Sequence, residues 1–323
     1  MFPCAMNITQ QAIPKFSSRS AFSPRQAPVR IKLHKLAIMA AATPEKVDKQ
    51  IKPQEADQQP HQPGMEVDMD TKPIYIRDSY KGSGKLQGKV AIITGGDSGI
   101  GRCHVAILYL DEHKDADEVV ELVKKEGRQC LKFSGDVSKP ETAGDVVGKV
   151  VQELGRLDIL VNNASVQHMA LSLEDITPEQ LQETFAVNVF GYFYMAQVCA
   201  ARVGASVAAP QGSPFVPVIA TLQSLQVAFT RALSNQLVSK NIRVNAVAPG
   251  PIWTPLIPAT FPKVRLARCV SREMIDDWKS EAQMKRPGQP CEVAPCYVFL
   301  ASEDGSYISG QTLHPNGGTV VSS

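Results

Sequence analysis

The chain has 323 residues and a formal net charge of +2, too small a basic excess for a nucleic-acid binder. It contains no run of about 18 apolar residues, so no membrane-crossing helix is expected. Seven scattered cysteines without a C-x-x-C pair, and six histidines without ligand spacing, exclude a disulfide framework and a zinc site and point to reduced thiols in an intracellular compartment.

Met1 to Pro44 holds no Asp or Glu, but carries Lys15, Arg19, Arg25, Arg30, Lys32 and Lys35 among several serines. That is the composition of an organellar transit peptide, expected over residues 1–42. An unstructured tail is the alternative, and Met39-Ala40-Ala41-Ala42 could be an internal start that leaves a shorter product in the cytoplasm. Residues 43–73 are rich in Pro, Gln, Asp and Lys and cannot bury enough apolar surface to order themselves, so the stretch 43–85 reads as a disordered linker or surface arm. Within them Pro73 to Tyr80 is more apolar and suited to pack against a domain.

Lys89 to Ile93 is a β-branched run suited to a buried parallel strand. It ends in Thr94-Gly95-Gly96-Asp97-Ser98-Gly99-Ile100-Gly101, a glycine turn that lets backbone approach a pyrophosphate, with the N-terminus of a following helix expected to face it. Asp111 to Glu126 and Glu141 to Leu154 read as helices, and Gln129 to Phe133 and Leu157 to Val161 as strands. Thr177-Pro178-Glu179-Gln180 is a capping box opening a helix that runs on through Asn188 towards Cys199. Leu222 to Ser239 is a helix, Ile242 to Ala248 a strand, Glu292 to Ala301 a short helix and Gln311 to His314 a last strand. The alternation gives an α/β fold: a Rossmann-like, doubly wound parallel sheet in a single domain over 86–323. Ligands in such sheets bind beyond the C-terminal strand ends. The glycine turn, Asp136, Asn163 and Pro249-Gly250 all fall there, which marks a nucleotide site.

Together the motifs T-G-G-D-S-G-I-G at 94–101, D-V at 136–137, L-V-N-N-A at 160–164, V-N-V at 187–189, R-V-N-A-V-A-P-G-P-I-W-T-P at 243–255 and N-G-G at 316–318 resemble the short-chain dehydrogenase/reductase family. The closest resemblance is to its glucose and ribitol dehydrogenase homologues and NADPH-dependent aldehyde reductases. The resemblance implies an oxidoreductase acting on small aldehydes, sugars or sugar alcohols with NADP, or possible use of NAD instead. It implies Gly95, Gly99 and Gly101 at the pyrophosphate, Ile100 under the nicotinamide side, Asp136 and Val137 at the adenine and Asn163 at the ribose region, with Ser98 and Ala164 also cofactor-binding. Ile252 and Thr254 would touch the carboxamide and phosphates, with Pro249 and Gly250 also cofactor-binding. It implies a plastid address, with the mitochondrion as alternative. It also implies a small carbonyl or polyol as partner, with neither nucleic acid nor membrane, and an oligomer of identical chains built through helices near 175–199 and 220–239.

The family's chemistry needs a Tyr, a Lys four residues later, a Ser at the preceding strand end and an Asn on the helix before it. A phenol with an ordinary pKa of about 10 needs a neighbouring cation to work near neutrality. Aligning Val227-Ala228-Phe229-Thr230-Arg231 without gaps puts Ile219 at the Tyr position, Gln223 at the Lys position, Ser206 at the Ser position and Asn188 at the Asn. Tyr192 or Tyr194 is the nearest phenol that could substitute. Two segments look too short. Residues 102–110 leave room for the first crossover helix or the second strand but not both, and Met195 to Ser206 is tight for a helix end, a turn and a strand. Lys263 to Gln283 is instead long for the family, with an amphipathic Glu273 to Trp278 where substrate would be covered. A nucleotide-binding pseudoenzyme, or an incomplete gene product, is therefore the alternative to a working oxidoreductase.

Overall fold

The structure, a computed structural model, describes residues 62–69, 71–77, 82–97, 106–168, 170, 172–202, 206–210, 217–260 and 282–321. The transit-peptide reading of 1–42 and the amphipathic segment 273–278 lie outside the described residues.

Seven parallel strands form one sheet in the order β3-β2-β1-β4-β5-β6-β7. They are β1 (Ala91–Thr94), β2 (Ala106–Tyr109), β3 (Leu131–Ser134), β4 (Ile159–Val161), β5 (Ser206–Pro210), β6 (Val244–Val247) and β7 (Thr312–Leu313). The strand order reverses between β1 and β4, so a crevice opens at their C-terminal ends. Helices α1 (His113–Lys125), α2 (Pro140–Leu154), α3 (Pro178–Phe185), α4 (Gly191–Arg202), α5 (Pro217–Leu237), α6 (Leu256–Thr260) and α7 (Pro290–Ala301) complete the doubly wound pattern.

Strand periodicity decides which helix covers which face. In β1, Ile92 joins the cluster built with Val147 and Val150 of α2 and Met195 and Cys199 of α4. Its neighbours Ala91 and Ile93 point the other way, into a cluster with Val293, Tyr297 and Leu300 of α7. In β2 the odd residues Ile107 and Tyr109 meet Ala116, Val119 and Val123 of α1. Each fully buried Ile or Leu contributes roughly 1.5–3 kcal/mol, so both faces of the central strands carry the fold. The helical stretch Pro178–Ala201 is long and apolar enough, by length and composition alone, to cross a membrane. Here its Met195, Ala196 and Cys199 lie in the core between α2 and the sheet.

Both tight segments have an outcome. Ala106–Tyr109 is a strand, paired Ile92↔Ala106 to Thr94↔Leu108 with β1, so the reading of 102–110 as the crossover helix with a lost second strand does not hold. Residues 195–206 also hold both elements: α4 runs to Arg202 and β5 begins at Ser206. The expectation that this length was too short is corrected, because only residues 203–205 join them. The capping box at Thr177 is present, with Gln180 N donating to Thr177 Oγ1 and Thr177 N donating to Gln180 Oε1, each at 3.2 Å.

Residues 62–77, inside the stretch read as linker or surface arm, lie along the domain. They are tied to it by hydrogen bonds to Asp115, Gln167, Gln289 and Trp253.

Candidate functional site

A cleft of about 610 Å³ lies at the C-terminal strand ends, a volume within the usual range for cofactor sites. The sheet brings most of the expected residues to it. Gly95 follows β1, Asp136 and Val137 follow β3, Asn163 and Ala164 follow β4, and Pro249, Gly250, Ile252 and Thr254 follow β6; all line the cleft. Ser98, Gly99, Ile100 and Gly101 lie outside the described residues.

The turn after β1 is locked to the one after β4. Thr94 Oγ1 accepts from Asn163 N at 2.9 Å and Ala164 N at 3.0 Å. Asn163 Nδ2 donates to Gly95 O at 2.8 Å, and Gly95 N donates to Leu108 O at 2.7 Å. The Asn163 carboxamide thus braces the glycine turn, a role the sequence motif does not announce. Gly95 has φ +60°, and a Cβ there would stand 2.9 Å from Ala164 Cα. Conformation and crowding both demand glycine at that position. Asp136 Oδ1 accepts from Ser138 N at 2.8 Å, which folds the loop after β3 so that Val137 turns into the core. On the opposite wall, Gly250 comes so close to the loop after β7 that a Cβ would meet Asn316 Cα at 2.9 Å.

Asn188 reaches the cleft from a turn of π-helix, Ala186–Phe190, between α3 and α4. Such single turns of wide helix recur at functional positions. Its Oδ1 accepts from Val166 N at 2.9 Å and its Nδ2 donates to Val166 O at 2.8 Å, so the side chain pins the loop after β4. The Asn188 carbonyl accepts from Gln226 Nε2 at 3.2 Å. Gln226, on α5 and also lining the cleft, escaped the sequence reading because no motif marks it. Tyr192 lines the floor, and complete burial pushes its phenol well above its ordinary pKa. Its hydroxyl is therefore a poor source of protons for a substrate.

Ser206 is placed by strand pairing. It opens β5 and pairs with Ile159, the first residue of β4, whereas the cleft begins beyond the last. It lies four residues before Pro210, about 13 Å along the strand at 3.3 Å per residue. Ile219 and Gln223 are one helical turn apart in the first half of α5, Ile219 having no proton to give and Gln223 no charge.

At the end of β2, where an acid would grip a ribose, Tyr109 and Leu110 line the cleft with Glu112. Glu112 is only 2% exposed. Its Oε2 accepts from Leu110 N at 3.2 Å and Asp111 N at 3.1 Å. Burial raises its carboxyl pKa, against the lowering effect of those backbone donors. Its charge is spent on its own loop. Among the described residues no group of His, Cys, Asp and Glu is arranged to hold a metal.

A family model described as enoyl-(acyl carrier protein) reductase matches residues 101–320. General stress protein 39 of Bacillus subtilis is 46% identical over 285 residues, covering 82% of this chain and 96% of its own. A glucose and ribitol dehydrogenase of Daucus carota is 44% identical, covering 81% and 96%. The chloroplastic NADPH-dependent aldehyde reductase 1 of Arabidopsis thaliana is 41% identical, covering 83% and 98%. Such spans are longer than residues 86–323, so they reach into the chain before β1. Among solved structures, a short-chain dehydrogenase from Burkholderia cenocepacia J2315 in complex with NADP matches with TM-score 0.64 and 28% identity, over 72% of this chain and 98% of its own. A blue fluorescent protein from a metagenomic library in complex with NADPH matches with TM-score 0.64 and 27% identity, over 73% and 100%.

Proposed function

This chain belongs to the short-chain dehydrogenase/reductase family, and on that premise we propose that it binds NADP(H) in the cleft while its turnover of small aldehydes, sugars or sugar alcohols is impaired. A bound nicotinamide supplies or takes a hydride; the protein's share is to orient it and to move a proton at the substrate oxygen. The orienting half is supported by the convergence of Gly95, Asp136, Asn163, Gly250 and Thr254 on one cleft. NADP over NAD is supported by Glu112, whose carboxylate is turned into its own loop rather than offered to a ribose.

The observation that carries the impaired-turnover reading is the state of the proton-transfer positions. Ile219 has no ionisable proton and Gln223 carries no charge, and Ser206 stands at the wrong end of β5. Of the four positions, Asn188 lines the cleft. Loss of one acid–base group costs about 10²–10⁴-fold. A chloroplast destination is supported by the acid-free N-terminal stretch and by the chloroplastic relative.

The test is an NADPH fluorescence titration, followed by aldehyde-dependent NADPH consumption for the wild type and an Ile219→Tyr, Gln223→Lys double variant. Binding with turnover far below active family members is expected. Wild-type turnover as high as theirs sinks the impaired reading, and absence of binding sinks the cofactor assignment.

A further inference from the structure

One wall of the cleft comes from chain far upstream of the sheet. Gln62, Pro63 and Gly64 line it. Gln62 makes a two-way pairing with the loop after β4: Gln167 N donates to Gln62 Oε1 at 3.0 Å, and Gln62 Nε2 donates to Gln167 O. Gln167 adjoins Val166, the residue Asn188 pins. A few residues on, Glu66 N and Val67 N both donate to the carboxylate of Asp115, at 2.6 and 3.2 Å. Asp115 is 1% exposed in the first turn of α1, just past Glu112. Trp253, between the cleft residues Ile252 and Thr254, donates its Nε1 to Thr71 O at 2.9 Å. The segment ends on α7, where Ile74 N donates to Gln289 Oε1 at 2.8 Å and Cys291 N donates to Ile74 O at 3.1 Å.

The segment therefore begins on the wall of the cleft and is fastened in turn to the loop after β4, the β2–α1 side, the loop after β6 and the start of α7. Its fastenings are hydrogen bonds, paired at Gln167, Asp115 and Ile74 and single at Trp253, each worth about 1 kcal/mol net and somewhat more at the Asp115 carboxylate. Among its described residues Met69 and Pro73 are the buried apolar side chains and Glu66 the buried polar one, and the others are half-buried or exposed apart from Gly64. Segments held this way open at low cost compared with the sheet beneath. We infer that residues 62–77 are a strap of the dinucleotide site, which docks with the bound cofactor and must lift to release it. This rests on the reading that the cleft holds NADP(H). A ligand that touches both strap and cleft binds the closed form better, and by linkage the closed strap holds the ligand better.

The full-length protein is examined by hydrogen exchange with and without saturating NADPH, and by stopped-flow NADPH release. Protection of 66–74 is expected to rise on adding NADPH. Gln62→Ala, which removes the two bonds to Gln167, is expected to speed release roughly tenfold, and Asp115→Asn, which weakens the grip on Glu66 and Val67 without emptying the site, to speed it several-fold. NADPH bound by the wild type with unchanged protection of 66–74, and release unchanged in both variants, overturns the strap while leaving the cofactor assignment in place. No NADPH binding by the wild type overturns both.

Discussion

Ser206 stands opposite Ile159, first residue against first residue at the N-terminal ends of β5 and β4. That end of β5 is opposite the C-terminal strand ends, where the cleft opens beyond Asn163. Ser206→Ala should leave NADPH affinity within about twofold of the wild type, the effect of a change away from any site. Side-by-side fluorescence titrations check this. A tenfold loss would return Ser206 to the cofactor site.

Gly95 is the position in the cleft least able to accept a side chain. Its φ of +60° and the 2.9 Å approach that a Cβ would make to Ala164 Cα act together. Gly95→Ala should cost about 1–3 kcal/mol. Because the displaced turn also loses the Asn163 Nδ2 bond to Gly95 O, NADPH binding should weaken along with stability. Thermal unfolding with and without NADPH separates the two losses. An unchanged midpoint with unchanged affinity would mean the turn relaxes without cost.

Glu292 gives the pH dependence. Burial alone would raise its pKa. The two Arg286 contacts at 2.7 Å, the Gln289 N–H at 2.9 Å and Arg77 at 3.1 Å outweigh that, and the carboxyl is held below its ordinary value. A depressed folded pKa contributes stability that is complete above the unfolded value of about 4.3 and is lost as pH falls through the lower folded value. Denaturant midpoints should therefore fall with acidification below about pH 4.3, and Glu292→Gln should remove part of that fall. An equally steep acid limb in the variant would show that other carboxylates set it.

The sheet and most of the cleft were readable because they rest on short-range signals: β-branched runs, the Thr177 capping box, and motifs at strand ends. Ala106–Tyr109 was ambiguous in sequence because a short apolar run fits helix or strand, and only pairing with Ile92 and Thr94 decides it. Where Ser206 falls along β5 was not legible, because a gapless alignment through α5 takes no account of where β5 starts to pair. Of the strap, only the packing of the stretch from Pro73 onward was readable. Its anchors join residues 49 positions apart, as in Glu66 N to Asp115, or 215 apart, as in Ile74 N to Gln289, and no local periodicity records such a bond.

Gln226 offers a substitution whose sign depends on pH. Its Nε2 donates to the Asn188 carbonyl at 3.2 Å, and the side chain is 8% exposed. Gln226→Leu removes that donor from the π-helical turn and should cost about 1 kcal/mol. Gln226→Glu has nearly the same shape but, when ionised, turns an acceptor towards an acceptor. Burial raises the pKa of such a carboxyl, and the protonated acid can again donate to Asn188 O. The Glu variant should thus be markedly less stable than the wild type near neutrality and regain stability relative to it as pH falls through its raised pKa, whereas the Leu variant should keep a constant deficit. Urea midpoints of the three proteins across that range decide the matter. A Glu variant that tracks the Leu variant at every pH would show that the Gln226–Asn188 bond does not hold this turn.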